Sequence, residues 1–447
     1  MRDNFRHGPI TIPLYCLNYP LSPFQCDLVK PPEKELGISD ASMIRPLKQD
    51  RKNPFLEPFL VFLKLGMTSF GGPIAHLGYF HKEIVSNRKW LSEKDYADIV
   101  ALCQFLPGPA SSQVGFAIGH IRGGIPGAFG AWAGFTLPST LIMLGFASGM
   151  AYLDAGHGWI RGLKIAALAV VAHAVWTMAR KLCPGAVHLT GALISATIVL
   201  LAGTALSQVM VIAVAMLLSW AAYKAISKNS TPANPLPADA PDPTNGTRAS
   251  WLWLALFAVG MGAFMLLDAT SSSRWISMGN EFYRTGSLVF GGGHVVLPLL
   301  ETATVGRGWL DQDTFLAGYG AAQALPGPLF TFAAYLGSMV QPNGPGWLAG
   351  LFCLLAILTP SFLLVLGAMP HWQKLRLRPD AQAALTGANV AVVGILLAAL
   401  IHPVFSSAVS DVKTLIFASA AYVLLQFGKC PAIVLVGMCA GAGGFLL

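Results

Sequence analysis

The sequence predicts an all-α polytopic membrane protein built from two homologous repeats, inverted relative to each other, whose helices are broken or re-entrant at defined points. Composition is the first observation behind this: 54% of the 447 residues are hydrophobic and 11% charged, with a mean hydropathy of +0.58. Many apolar runs are long enough to cross a bilayer and the period-2 alternation of an outer-membrane barrel is absent, so helices must satisfy the backbone in lipid. The second observation is a duplication. Phe70-Gly71-Gly72, Trp90-Leu91, Gln104 and Leu106-Pro107-Gly108-Pro109 recur as Phe290-Gly291-Gly292, Trp309-Leu310, Gln323 and Leu325-Pro326-Gly327-Pro328. The offset is 220 at the Phe-Gly-Gly and 219 at the Trp and the Pro-Gly-Pro; it becomes 222 where Pro138-Ser139 meets Pro360-Ser361 and Ala169-Val170-Val171 meets Ala391-Val392-Val393. Chance does not keep that register, and two copies of one unit in an apolar chain point to a repeat-built transporter. The third observation is that the repeated strings carry glycine pairs and Pro-Gly-Pro, which interrupt the intrahelical hydrogen-bond ladder.

Taken in order, residues 1–53 are expected to be a disordered cytoplasmic tail. They hold no apolar run resembling a signal-peptide core, and Arg45, Lys48, Arg51 and Lys52 end just before hydrophobicity begins. Residues 54–226 form the N-terminal transport repeat, with its two broken segments followed by plain apolar runs near 125–150, 159–179, 187–204 and 207–225. Residues 227–249 carry Pro232, Pro235, Pro237, Pro241 and Pro243 among Asn, Asp and Thr, the composition of a linker. Residues 250–268 form a linking transmembrane helix without counterpart in either copy. Residues 269–447 form the C-terminal repeat, with plain runs near 345–369, 380–401, 411–427 and 430–447.

The net charge of +8 lies in short basic clusters at the ends of apolar runs, which fits loop orientation and not nucleic-acid binding. If both broken segments return to their starting side, a cytoplasmic start puts Lys82, Arg88, Lys89 and Lys94, then Arg122, Arg180, Lys181, Lys224 and Lys228 inside. One additional crossing at residues 250–268 then inverts the second copy and places Lys374, Arg376 and Arg378 inside. A parallel repeat with accidental charge bias is the alternative, and the bias favours inversion. The seven cysteines include no Cys-x-x-Cys pair, so neither a disulfide framework nor a metal cluster is expected. No Gly-x-x-x-x-Gly-Lys loop occurs, which excludes a Walker ATPase within the chain.

The chemistry concentrates at the broken segments. The first copy offers Gly71, Gly72, Pro73 and His76, then Gln104, Pro107, Gly108, Pro109, Ser111, Ser112 and Gln113 as substrate-binding or gating residues. After Pro109 a half-helix can begin whose free amides and positive dipole end face an anion, with two hydroxyls and an amide as further donors. The bland alternative is a pair of proline kinks with the serines bonding their own helix. The second copy offers Gly291, Gly292, His294, Gln323, Pro326, Gly327, Pro328 and Thr331; with Leu and Phe in place of the serines it reads as a packed counter-gate. Lys64 and Arg284 each lie six residues before a Phe-Gly-Gly, and Arg88 and Arg307 each two before a Trp. All four are candidate cations along an anion path; the alternatives are snorkelling for the first pair and interfacial anchoring for the second. His81 and Glu83 could relay protons or simply sit in a wet loop. His173 and Asn389 read as interhelical hydrogen-bond glue, and Gly123-Gly124, Gly127 and Gly130 as close packing.

At these residues the sequence resembles the chromate ion transporter family in its long, two-repeat form. The match is dense over Phe70 to Phe80, Trp90-Leu91 and Ala101 to Gln113, and again over Phe290 to Pro298 and Gly320 to Pro328; residues before Asn53 depart from it. The resemblance implies a multi-pass bacterial inner-membrane protein, its N-terminus cytoplasmic, that expels chromate and confers resistance, driven by a proton gradient or the membrane potential. It implies no enzyme activity, cofactor or metal. The partners it implies are a chromate or sulfate-like oxyanion, a coupling proton and the lipid bilayer; a homodimer is compatible with it and nucleic acid is not expected. The residues alone reach an anion carrier, since amide dipoles and neutral hydroxyls can hold a dianion without burying many full charges. Sulfate or another oxyanion, exported or imported, is the competing substrate. An intramembrane enzyme and a channel remain as further readings, although no haem, flavin or iron–sulfur ligand pattern appears.

Overall fold

The computed structural model describes residues 53–150, 158–227, 247–290, 293–341, 345–375, 378–428 and 430–446. The expected tail, most of the expected linker, and Gly291 and Gly292 lie outside the described residues.

The first repeat begins with α1 (Leu56–Thr68), which stops at Ser69. The chain restarts as α2 (Gly72–Phe80), with Gly71 left-handed at φ 97° and Pro73 in the first turn, and runs on as a π-helical stretch His81–Asn87. Proline there costs no hydrogen bond because the first helical amides have no intrahelical acceptor. The helix α3 (Glu93–Phe105) starts at Ser92, whose hydroxyl accepts from the Asp95 amide, and ends at Leu106 before the Pro-Gly-Pro. Next, α4 (Ala110–Met150) begins directly after Pro109 and breaks at Gly123-Gly124. The plain runs follow as α5 (Gly158–Leu182), α6 (Ala186–Ala202) and α7 (Ala205–Ser227), and the linking helix is α8 (Thr247–Thr270).

The second repeat retraces this order. Its elements are α9 (Arg274–Leu288), a 3₁₀ turn Gly293–Val295 leading into α10 (Val296–Thr304), and α11 (Gln312–Gln323), capped by Asp311. After the second Pro-Gly-Pro come a 3₁₀ turn Leu329–Thr331, α12 (Phe332–Val340) and α13 (Gly346–Ala368). The last three are α14 (Pro379–Ala399), α15 (Val412–Gln426) and α16 (Ala432–Leu446). Both repeated strings therefore break a helix in both copies, as their chemistry demands. Six helices among the described residues are long and apolar enough to cross a bilayer.

The copies interlock instead of standing side by side. Helix α5 packs on α15 and α16, the last helices of the other repeat, while α14 packs on α6 and α7 of the first. Gly162 meets the Cys439 carbonyl and Gly387 the Ala215 carbonyl so closely that a side chain at either would overlap backbone. The same correspondence governs the broken helices. Gly66 of α1 lies against the Phe135 carbonyl of α4, and Gly286 of α9, 220 residues on, against the Ile357 carbonyl of α13. Glycines 123, 127, 130 and 134 of α4 give the backbone of residues 54–59 its close approach, which is the packing role expected for the first three. His173 bridges α5 to Gln426 of α15 at 2.7 Å. In contrast, α7 and α8 bury little surface within the protein and turn their apolar sides outward, as lipid-facing helices do.

Small residues at crossing points drive such packing where lipid supplies no hydrophobic force between helices. Gly162→Val and Gly387→Val should therefore each cost at least ~1–3 kcal/mol of overpacking and lower thermal stability in detergent. Gly145→Val, at a position with open space around it, should leave the melting temperature within a degree or two of wild type. Equal melting behaviour of all three variants would contradict the interlocked arrangement.

Candidate anion site at the crossed Pro-Gly-Pro turns

Each Pro-Gly-Pro turn is held by the other repeat. The Gly108 amide donates to the carbonyl of Val289, next to the second Phe-Gly-Gly, at 2.6 Å; the Gly327 amide donates to the carbonyl of Ser69, next to the first, at 2.9 Å. Both glycines are left-handed, with φ of 129° and 95°, a conformation that side-chain-bearing residues resist. Gly108 has no room for a side chain and Gly327 is tightly packed. A Cβ at Gly108 would overlap Ser361 Oγ of α13, and one at Gly327 would stand 3.0 Å from Ser139 Oγ of α4. Ser139 and Ser361 are themselves repeat equivalents, so two turns, two glycine breaks and two serines form one pseudo-two-fold arrangement. Pro73 of the first copy touches the position of Gly293 in the second, at 3.3 Å from a Cβ built there.

Around this crossing both copies leave polar atoms without partners. Ser112 Oγ, Gln113 Oε1, Ser69 Oγ and Thr136 Oγ1 of the first copy and Ser361 Oγ of the second are buried and make no hydrogen bond among the described residues. Buried polar groups are nearly always paired, which makes this cluster the candidate site for a polar ligand. Gln113 is fully buried at the start of α4; its amide nitrogen donates to the Pro107 carbonyl at 2.8 Å, which locks the turn. Ser111 is buried beside it in the first turn of the helix, where free amides and the dipole favour an anion. His76 is 1% exposed, with its ring edge-on to Phe135. The Ser69 backbone lies beside that ring, but neither ring nitrogen meets hydrogen-bond geometry.

The second copy is the more closed of the two. Thr331 turns its hydroxyl onto the Pro328 carbonyl at 2.9 Å, and His294 hydrogen-bonds Tyr319 at 3.1 Å. The second copy also leaves Ser361 Oγ and Gln323 Nε2 without a partner among the described residues, so open polar atoms are not confined to the first copy. Gln323 is half-buried at the end of α11. Gln104, expected at the site, is exposed on α3, and Gln113 occupies the turn in its place. Ser69, Thr136, Ser139 and Ser361 were not singled out as site residues in the sequence; the duplicated Pro-Ser pair was the signal that could have found the last two.

Three of the four candidate path cations are paired with carboxylates. Arg284 and Arg307 both pair with Glu281, itself 1% exposed, and Arg307 also reaches Asp268 at 3.4 Å. Asp268 in turn accepts from Asn280 at 3.0 Å. In the first copy Arg88 pairs with Glu83 at 2.8 Å, and Lys64 is exposed on α1, as snorkelling requires. Arg88 and Arg307 stack on the Trp two residues later at 5.5 and 5.4 Å, the interfacial-anchor arrangement. The expected relay is not assembled either. His81 pairs with Glu93 at 2.6 Å, not with Glu83. Hydrogen bonds from Asn87 and then Arg88, with the Lys64 field, outweigh desolvation and hold Glu83 below the usual carboxylate range, so it stays ionised near neutral pH. A further pair, Lys164 with Asp313 at 2.7 Å, ties α5 to α11 across the repeats.

The family model described as chromate transporter matches residues 56–220 and 276–445, one match for each repeat and most of the chain. The chain belongs to the chromate transporter family. Its relatives include a probable chromate transport protein of Synechococcus elongatus, 28% identical over 355 residues, which cover 76% of this chain and 82% of the relative. An uncharacterized transporter of Methanocaldococcus jannaschii is 28% identical over 364 residues, 80% of this chain and 87% of that one. A chromate transport protein of Cupriavidus metallidurans is 27% identical over 383 residues, 83% and 88% of the two chains. No solved structure matches. In this family member, then, the duplicated turns meet at the centre of a two-repeat membrane protein.

Glu281 is the group on which the second-copy charge cluster depends. Glu281→Gln should leave Arg284 and Arg307 competing for Asp268 and destabilise the protein by roughly 3 kcal/mol, as loss of one partner from a buried pair does. Thermal unfolding in detergent checks this; Glu93→Gln, removing an exposed partner of His81, should cost less than about 1 kcal/mol.

Proposed function

We propose that the protein carries chromate, a tetrahedral dianion, out of the cell across the inner membrane, as a secondary transporter of two inverted repeats. The observation that carries this reading is the cluster of unpartnered buried donors where the two Pro-Gly-Pro turns cross, in a chain of the chromate transporter family. Ser112, Ser361 and Ser69 offer hydroxyls, and the first amides of α4 offer N–H groups, so a dianion meets neutral donors and a helix dipole instead of fixed cations. That choice suits transport. A site built from full positive charges would hold a dianion too firmly to release it, whereas donors worth ~1 kcal/mol net each allow binding and exit.

Alternating access follows from the crossed bonds. Each turn is tied to the other repeat by one backbone hydrogen bond, so opening one side needs the exchange of that bond for water or substrate contacts while the other stays closed. The odd helix α8 between the repeats supports inversion, since one extra crossing reverses the second copy. Efflux agrees with the electrical work: moving a dianion out of a cell negative inside releases about 4.6 kcal/mol per 100 mV, at ~2.3 kcal/mol per charge. Sulfate has the same charge and similar shape, and is the competing substrate.

The deciding experiment is chromate uptake by inside-out membrane vesicles, with and without an imposed proton gradient and with sulfate as competitor. Uptake that depends on the chain is expected. Its absence in vesicles that contain the inserted protein would reject chromate efflux, and stronger competition by sulfate than by unlabelled chromate would reassign the substrate. Within this assay, Ser111→Ala/Ser112→Ala should lower flux by about tenfold or more, for ~1–2 kcal/mol per lost donor, while Thr331→Ala should change it by less than about threefold. Cysteines placed at Arg88 and Arg307 should react with impermeant reagents from opposite sides of the membrane.

A further inference from the structure

A polar cavity lies away from the crossed turns. It has a volume of about 190 Å³ and is bounded by the α6–α7 turn at Thr204, by Gln208 of α7, by Glu301 and Thr302 of α10, and by Ala399 and His402 at the end of α14. It is lined by both repeats. Glu301 makes no side-chain hydrogen bond or ion pair among the described residues, unlike Glu281, Asp311 and Asp313 in the same repeat and Asp268 of α8. Gln208 is 5% exposed. Its amide nitrogen donates to Thr302 Oγ1 at 2.8 Å, while its carbonyl oxygen is buried with no partner. A carboxylate and an amide oxygen, both without donors, therefore meet in one small cavity.

We propose that Glu301 is the proton-carrying group of this transporter, loaded and unloaded through the cavity it shares with Gln208 and His402. This rests on the transport reading above and adds the residue that couples it to a proton. A half-buried carboxylate without a counter-charge favours taking up a cation, and a proton is the one cation that needs no coordination shell. His402 adds a group able to exchange protons at the cavity wall. Its Nδ1 is engaged with Ser406 Oγ at 3.0 Å, which leaves Nε2 for exchange. The other titratable groups near α10 are already occupied: Glu281 and Arg284 of α9, with Arg307 beyond α10, pair with one another, and His294 bonds Tyr319.

The route from Glu301 to the anion site is short. Helix α10 begins at Val296, directly after the turn Gly293–Val295 that meets Pro73, and Val289 just upstream holds the Gly108 amide. A shift of α10 on protonation would therefore be felt at the turn Gly293–Val295, which Pro73 of the first copy meets. Glu301 also occupies the repeat position of His81, 220 residues earlier, so a titratable group stands at this place in both copies.

The test uses the full chain in proteoliposomes, with chromate as the probe, comparing equilibrium exchange with accumulation under a gradient of about one pH unit. Wild type should exchange chromate and accumulate it by up to about tenfold per coupled proton. E301Q should keep exchange within about twofold and lose the response to the gradient, and Glu301→Asp should restore part of that response. An E301Q protein that melts like wild type yet still follows the gradient overturns the proposal, as does one that loses exchange altogether. Accumulation that follows a sodium gradient instead of a proton gradient overturns it too. Wild type that exchanges chromate but ignores every gradient sinks Glu301 as a coupling group while leaving transport intact; wild type with no exchange sinks the transport reading itself.

Discussion

Everything at the centre of this protein depends on two backbone hydrogen bonds that cross between repeats, from Gly108 to Val289 and from Gly327 to Ser69. Broken helices in a membrane expose amides and carbonyls that lipid cannot satisfy, and each unsatisfied group would cost several kcal/mol. The protein meets this constraint reciprocally. The turn of one copy satisfies the carbonyl freed at the break of the other, so neither repeat can keep its broken helices without its partner. The left-handed glycines, the absence of space for a Cβ at Gly108, and the serines packed over them at 361 and 139 all follow from bringing two backbones that close.

Charge is handled with the same economy. Lys64 aside, the cations near the broken segments are matched by carboxylates a turn or a helix away: Arg88 by Glu83, Arg284 and Arg307 by Glu281, and Arg122 by Glu57 at 3.0 Å. What remains at the crossing is neutral and polar, a set of hydroxyls and amides around a helix start. Paired charges hold the scaffold, and unpaired dipoles are left for a ligand. Glu301 departs from this pattern, an acid beside a cavity with no basic partner among the described residues.

Much of the architecture was legible in the residues. The register of the Phe-Gly-Gly and Pro-Gly-Pro strings located both breaks in both copies, because proline and glycine act on the local backbone whatever surrounds them. The plain helices followed from apolar run length, and the start of α4 after Pro109 from helix-terminus chemistry. Pairing was not legible. Nothing in the sequence around Glu281 says that two arginines converge on it, or that His81 would take Glu93 over Glu83, since such partners are chosen by the path of the chain between them. Gln104 shows the same limit: its place in a duplicated string drew attention to it, yet the face of α3 on which it lies turns it outward.

The sequence by itself determined that this chain is a duplicated, helical membrane protein whose helices break at four places, and it carried the family signature at those breaks. These are properties of composition and local backbone chemistry, which need no neighbours. Only the tertiary structure decided that the breaks of one copy are closed by the other, that α5 and α14 exchange partners across the repeats, and which buried oxygens are left without a donor. Those depend on long-range packing, where small residues let one backbone approach another and every polar atom is either paired or left open by what lies opposite it.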